Sequence, residues 1–157
     1  MIGVGLLLAA GMTNPCPVQS SDFVPTEEVD RFFAERSVAI IAAAKRGDLE
    51  SVSVAVSPDV KSVRQAHIGT SYDGPEGLIT FVSWLEADSY VWRYQPYRAP
   101  SPATAYCAER QTEIEFIPAD RSYGYLVTFT YRNGLLVHMT GASHELIEGS
   151  LMEVTNG

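Results

Sequence analysis

The stretch YGYLVTFTYRNGLLVHMTGASHEL, residues 123–146, decides the fold of this chain. Residues 123–131 alternate in polarity, and a second apolar run, residues 135–146, follows Asn133 and Gly134. Asn-Gly between two such runs is the strongest short-range signal for a β-hairpin, because both residues tolerate the positive φ angles of a two-residue turn. The stretch therefore predicts two paired antiparallel strands and fixes which side chains share a face.

The predicted turn pairs Arg132 with Leu135, and the pairing then continues along both strands. One face carries the large aromatic and titratable side chains, so we assign it to the concave side of the sheet. A β-bulge would reverse the faces beyond it, and Gly141 is the position that most favours one. The predicted pairs on the concave face are Tyr131 with Leu136, Phe129 with His138, Val127 with Thr140, Tyr125 with Ala142 and Tyr123 with His144.

Composition indicates one acidic globular domain. The chain has 157 residues, of which 46% are hydrophobic and 19% charged, and its formal net charge is −8. An acidic surface repels phosphate backbones and anionic lipids, so neither nucleic acid nor a membrane surface is the expected partner. The sequence has no phosphate loop, nucleophile elbow or cofactor fingerprint, and no His/Cys cluster at metal-ligand spacing. It therefore predicts neither a cofactor nor a metal.

Residues 1–22 are predicted to be a signal peptide or an N-terminal extension, ahead of a single domain at residues 23–157. Residues 2–12 are small, aliphatic and uncharged. They are too few to span a bilayer but have the length of the apolar core of a secretory signal. No Lys or Arg precedes them, which favours the alternative of a disordered or packed cytoplasmic extension. Between the two, we favour a periplasmic or secreted protein.

The two cysteines, Cys16 and Cys107, allow two interpretations. In an oxidising compartment they could form a disulfide. They could instead be unrelated thiols, one in a mobile tail and one on a strand. We favour the unrelated thiols.

Three helices precede most of the sheet. Thr26 is the expected N-cap of the first helix, which Gly47 ends, and Asp48 caps a second helix that Pro58 stops. A weak strand at 59–67 and a loop at 69–74 lead to Pro75, which suits the first turn of a third helix. Residues 90–95 and 104–117 then alternate as strands, with Glu115 on a solvated face. The order predicts an α+β domain with helices packed on one side of a curved sheet.

In this order the motifs resemble the nuclear transport factor 2-like superfamily, which includes SnoaL-like polyketide cyclases and ketosteroid isomerase-like proteins. The resemblance covers about residues 26–150. It rests on Arg46-Gly47-Asp48-Leu49, on Gly74-Pro75-Glu76-Gly77 and on Phe129-Thr130-Tyr131-Arg132-Asn133-Gly134-Leu135-Leu136.

The resemblance implies a cystatin-like cone, in which a strongly curved antiparallel sheet wraps around three N-terminal helices and leaves a pocket at its open end. It also implies a homodimer formed through the sheet, for which the face with Leu126, Val137 and Met139 is suitable. The fold hosts isomerases, dehydratases, hydrolases and members without known catalysis, so it implies no single function.

Aromatic and polar side chains predicted near the concave side are the candidate ligand-binding residues. Rings with polar tips suit a flat apolar or aromatic molecule, although the same rings could simply form the core. Arg110 interrupts an apolar row and could meet a ligand carboxylate or a buried acid. The candidates are Trp84, Tyr90, Trp92, Tyr94, Tyr106, Arg110, Phe129, Thr140 and His144.

Catalysis, if present, would depend on His138 with a tyrosine, Tyr125 or Tyr94, because the predicted register leaves no Asp or Glu on the concave side of the last strands. Histidine changes charge near neutral pH and can act as a general base or acid. His67 precedes a loop and is expected to be exposed. We rank small-molecule binding first, a cofactor-independent isomerase, dehydratase or cyclase second, and a homodimeric interaction module third.

Overall fold

The computed structural model describes residues 12–14, 16, 24–65, 70–85, 90–94, 103–104, 106–119 and 123–145. The predictions for residues 1–11 and for His67 fall outside these ranges. Within them the helices are α1 (Thr26–Lys45), α2 (Leu49–Ala55) and α3 (Gly74–Val82). The strands are β1 (Val24–Pro25), β2 (Val56–Arg64), β3 (Ser71–Asp73), β4 (Tyr90–Tyr94), β5 (Ala103–Thr104), β6 (Arg110–Pro118), β7 (Tyr123–Arg132) and β8 (Leu135–Glu145).

Six strands form one curved sheet in the order β3-β2-β8-β7-β6-β4, and β1 pairs with β5 separately. Every pair in the sheet is antiparallel except β2 with β8, which is parallel. The predicted α+β class and the curved sheet beside three helices are confirmed, whereas the sheet is mixed rather than purely antiparallel. The described strands do not close into a barrel, and β3 and β4 are the edge strands of the sheet.

The step between α1 and α2 forms for the reasons that the sequence predicts. Gly47 ends α1 with a φ of +68°, where a glycine is free of steric cost. Asp48 caps α2 by accepting hydrogen bonds from the Ser51 amide at 3.1 Å and the Ser51 hydroxyl at 2.6 Å. These bonds lower the pKa of the Asp48 carboxyl. At the other end of α1 the prediction is one residue off, because Pro25 occupies the cap position and Thr26 is helical.

Two strand boundaries differ from the sequence predictions. β2 begins at Val56, directly after α2, so Pro58 lies inside a strand, and the predicted loop at 69–74 contains the short edge strand β3. β6 begins only at Arg110, because Tyr106 and Cys107 lie in a turn. Strand ends depend on pairing with other strands, such as that of β2 with β8, which alternation within one segment does not record.

Helix α1 packs on the concave face of the sheet through Tyr131. Its ring lies 4.6 Å from that of Phe33, and its hydroxyl is 2.8 Å from Ser37 Oγ. Ser37 Oγ donates to the Phe33 carbonyl at 2.7 Å, so the Tyr131 hydroxyl is the donor to Ser37. Tyr131 is fully buried, and this burial raises the pKa of its phenol.

A β-bulge lies four residues earlier in β8 than the sequence suggests. Tyr131 pairs with Leu136 as predicted, but the next pair is Thr130 with His138, which leaves Val137 as the extra residue. Every side chain of β8 beyond Val137 therefore faces the side opposite to the predicted one. Buried Met139, not His138, lies opposite Phe129, so the predicted register is wrong from this point onward.

Part of the segment before residue 22 packs on the domain. Met12 is buried, and the Thr13 carbonyl accepts a 2.7 Å hydrogen bond from Nη1 of the buried Arg36. Cys16 and Cys107 form a disulfide with a Cα–Cα distance of 5.3 Å, so the preferred interpretation as unrelated thiols is wrong. The domain boundary at residue 22 stays a prediction.

Candidate functional site

An opening of about 390 Å³ lies at one end of the sheet, where β2 and β8 end and β7 begins. Trp84, just after α3, forms one wall, and the first residues of β7 form another. The described lining comprises Arg64, Trp84, Tyr123, Tyr125, Ser143, His144 and Glu145. Trp84, Tyr125 and His144 are among the site candidates predicted from sequence. Tyr123 was predicted for the concave face but not for the site, and Arg64, Ser143 and Glu145 were predicted for neither.

Three aromatic rings form a continuous wall of the opening. The rings of Trp84 and Tyr125 meet edge to face at 5.0 Å, and those of Tyr125 and Tyr123 meet the same way at 5.2 Å. The Tyr125 hydroxyl donates to the Tyr123 hydroxyl at 3.1 Å. Edge-to-face contacts of this kind fix ring orientation, so the wall is preformed.

Arg64 places a positively charged guanidinium in the lining of the opening. Its guanidinium carbon lies 4.8 Å from the Trp84 ring, within the range of a cation–π interaction. Its Nε is buried and has no hydrogen-bond partner in the described structure. Sequence could have indicated Arg64, because it alternates with Val60 and Ser62, which are both buried on the concave side. Val63, apolar on the opposite face, obscures that pattern.

The bulge brings two polar residues to the concave side. Ser143 pairs with Tyr125, and Glu145 pairs with Tyr123, so both share a face with the aromatic wall. A carboxylate therefore lines the opening, which the predicted register excluded. The Glu145 and Arg64 side chains form no ion pair within 4.0 Å, although both are among the described residues.

His144 reaches the opening from the convex side and is held there by two acceptors. Its Nε2 lies 2.9 Å from Glu115 Oε1, and its Nδ1 lies 3.2 Å from the Glu145 carbonyl oxygen. Both ring nitrogens of His144 are therefore occupied by contacts within the protein. Glu115 also accepts a hydrogen bond from Arg93 and is 7% exposed, so the prediction that it is solvated is wrong.

The structure does not bring the predicted catalytic pair together. His138 lies on the convex face beside Lys61 and Thr130, whereas Tyr125 lies on the concave face. The His138 ring instead contacts the Thr140 hydroxyl, 3.4 Å from Nδ1, and Thr140 shares the convex face. The predictions that His138 and Thr140 face the concave side are therefore wrong, because the bulge at Val137 turns both of them outward.

The aromatic residues of β4 lie away from the opening. β4 is separated from β7 by β6, and the Trp92 and Tyr94 rings contact each other at 6.3 Å. Tyr90 joins α1 to the loop after α3: its hydroxyl donates to the Leu85 carbonyl at 2.8 Å and accepts from Lys45 Nζ at 2.6 Å. The described opening does not include these three rings.

The remaining candidates, Phe129, Tyr106 and Arg110, do not line the described opening. Phe129 is fully buried in the core, and Tyr106 packs edge to face on Phe32 at 5.0 Å. Arg110 lies 3.5 Å from Asp30, with the two side chains only 9% and 8% exposed. Burial lowers the pKa of the Arg110 guanidinium and raises that of the Tyr106 phenol. Arg110 thus meets a buried acid, one of the two roles that its position suggested.

Neither a metal cluster nor a membrane-spanning helix occurs within the described ranges. No three His, Cys, Asp or Glu side chains there lie close enough together to hold a metal ion. None of the helices in those ranges has the length and apolar character needed to cross a membrane.

Comparison with known proteins identifies the fold. No protein-family model and no curated protein matches the sequence. A nuclear transport factor 2-like protein of unknown function from Burkholderia xenovorans LB400 is similar in structure, with a TM-score of 0.50 and 17% identity over 82% of this chain and 97% of that one. A cystatin-like fold protein from the same organism gives a TM-score of 0.52 and 12% identity over 80% of this chain and 100% of the other.

A designed protein with a curved β-sheet is also similar, with a TM-score of 0.50 and 20% identity over 74% of this chain and 86% of the other. These identities establish the fold alone. The described part of the chain is therefore an α+β cone with an opening that is lined by aromatic side chains. Its fold is that of the nuclear transport factor 2-like proteins, as the sequence motifs predicted.

Proposed function

We propose that this domain binds a small, flat, aromatic molecule in the opening that Trp84, Tyr125 and Tyr123 border. The observation that carries this proposal is the continuous wall of three rings bordering a cavity of about 390 Å³. That volume falls within the range of about 300–1,000 Å³ that is typical of ligand pockets. Indole and phenol rings present large apolar faces, and the hydroxyl groups of Tyr123 and Tyr125 add hydrogen-bonding capacity at the edge of the wall.

Binding is favoured over catalysis by the contacts of His144. Both of its ring nitrogens are engaged by the protein, at Glu115 and at the Glu145 carbonyl, so neither is left to contact a substrate in the opening. An isomerase, dehydratase or cyclase would instead have to use Glu145, the carboxylate in the described lining. That residue is exposed to solvent, whereas catalytic carboxylates are typically tuned by burial.

The two tryptophans of the chain, Trp84 and Trp92, allow a direct test. The variant Trp92→Phe leaves Trp84 as the only indole, and its fluorescence reports on the opening alone. We expect saturable quenching when bicyclic aromatic compounds are titrated into this variant, and no such signal from the matched variant Trp84→Phe. Absence of saturable quenching across a panel of bicyclic aromatics at millimolar concentration would overturn the proposal.

We also propose that the domain forms a homodimer through the convex face. Leu126, Leu135 and Val137 are half-buried on that face and would be covered by a second copy, whereas Met139, predicted for the same surface, belongs to the core. Light scattering at micromolar concentration should give twice the mass of the chain. The variant Leu126→Glu should give the mass of a monomer, and a monomeric wild type would refute the dimer.

We further propose that the protein works in an oxidising compartment. The disulfide between Cys16 and Cys107 supports this, because such bonds persist outside reducing cytosol. Alkylation and mass spectrometry of the protein isolated from its native cells should find both thiols blocked. Two freely alkylated cysteines would refute the proposal.

A further inference from the structure

We propose that the ligand carries a carboxylate and that Arg64 binds it. The inference rests on the proposed function and adds the chemical class of the ligand. It is carried by the position of the Arg64 guanidinium, which lines the opening and lies over the Trp84 ring.

The first argument is the unpartnered Nε of Arg64. Buried N–H groups in folded proteins are nearly always hydrogen-bonded, and each exception calls for an explanation. Among the described residues Arg64 Nε has no partner, and it belongs to a side chain in the wall of a cavity. Because Nε itself has almost no accessible surface, an acceptor on a bound molecule would reach it only after a small rotation of the side chain, which would give this group the partner that it lacks. A ligand with an acceptor at this point is therefore favoured.

The second argument is the charge around Arg64. Four other arginines each lie within 4.0 Å of a carboxylate: Arg46 with Asp48, Arg93 with Glu115, Arg110 with Asp30 and Arg132 with Glu109. Arg64 has no such partner in the described parts of the chain. A ligand carboxylate would give Arg64 the kind of ion pair that these four arginines form within the protein.

The third argument is geometric. Stacking on the Trp84 indole holds the guanidinium beside the same ring that we expect to contact the ligand. A planar guanidinium presents its donors as a fork that matches a carboxylate bidentately. The acid group and the aromatic ring of one small molecule can therefore be bound at the same time. An aromatic carboxylic acid fits both features.

The test compares 2-naphthoate with its neutral analogue 2-naphthamide, using calorimetry on the full chain. For the wild type we expect the carboxylate to bind roughly 10- to 100-fold more tightly, as charge-assisted hydrogen bonds typically provide. The variant Arg64→Gln should bring this ratio close to one. Arg64→Lys, which keeps the charge but loses the fork, should give an intermediate ratio.

Arg132→Gln is the matched control, because it removes the same charge at an exposed surface site, where Arg132 is 61% exposed and pairs with Glu109. It should keep the wild-type ratio. Equal wild-type affinity for the acid and the amide would overturn the inference and leave the proposed function standing. Failure of both compounds to bind would overturn the inference, and it would overturn the proposed function as well if the panel of bicyclic aromatics also gives no saturable quenching. These outcomes are distinguished without Arg64→Gln, even if that variant does not fold.

Discussion

Gly141 lies directly beneath the indole of Trp84, at a distance that leaves no room for a side chain. A Cβ on residue 141 would clash with the six-membered ring of Trp84 and would lie 2.8 Å from Phe81 Cζ. The bulge at Val137 is what turns position 141 toward these rings. The glycine therefore allows Trp84 to approach β8 and form the wall of the opening.

The variant Gly141→Ala should lose about 1–3 kcal/mol of unfolding free energy, because the added methyl group forces two packed rings apart. It should also weaken binding of bicyclic aromatics, since Trp84 must move. Urea unfolding and fluorescence titration measure the two effects. The control is Ala142→Ser, one residue away on the convex face, which we expect to change stability by about 0.5 kcal/mol or less. Wild-type stability of Gly141→Ala would contradict this packing.

Tyr131 should make the domain less stable at alkaline pH. Burial raises the pKa of its phenol above the unfolded value of about 10. As the pH rises past 10, the unfolded chain loses this proton first and then binds fewer protons than the folded chain. Stability is therefore fully present below pH 10 and falls above it. In Tyr131→Phe the decline should be shallower. Urea unfolding between pH 8 and 11 tests this, and parallel curves for the two proteins would refute it.

The disulfide should stabilise the domain by about 2–4 kcal/mol, because it removes conformational freedom from the unfolded chain. Reduction with dithiothreitol should lower the urea midpoint of the wild type. The double variant Cys16→Ser/Cys107→Ser should already have the lower midpoint and should not respond to dithiothreitol. A wild-type midpoint that is the same with and without reductant would show that the bond contributes nothing.

The buried pair of Asp30 and Arg110 should be costly to break on one side. Asp30→Asn leaves the guanidinium without its compensating charge in a site where both side chains are nearly inaccessible, and we expect a loss of about 3–5 kcal/mol. The double variant Asp30→Leu/Arg110→Met removes both charges and should be more stable than Asp30→Asn. Thermal or urea unfolding decides between these results. A double variant less stable than the single one would contradict this account and would show that Arg110 stabilises the domain through contacts other than Asp30, such as the Phe33 ring.

The elements with local signals could be predicted from the sequence. Gly47, Asp48 and Pro75 mark helix ends through their own backbone or side-chain chemistry, and the structure has each of them in that role. The turn at Asn133 and Gly134 likewise forms as predicted, with φ angles of +50° and +74°. These features depend on residues close in sequence, which is why they can be inferred without coordinates.

The site could be predicted only in part, because one extra residue in β8 decides it. Val137 has no distinctive local signal, and the bulge there exchanges the faces of His138 and Met139. What favours the bulge is tertiary: Met139 fills the core, and Gly141 fits beneath Trp84. Arg64 was missed for a similar reason, since its importance comes from Trp84, twenty residues away in the sequence.

The most direct test of the central claim follows the indole N–H signals of Trp84 and Trp92 by NMR while 2-naphthoate is added. These two residues are the only tryptophans in the chain, so each signal can be assigned with one Trp→Phe variant. Binding in the opening predicts a saturable shift of the Trp84 signal and an unchanged Trp92 signal, because β4 lies beyond β6. A shift of Trp92 alone, or of neither signal, would contradict the account.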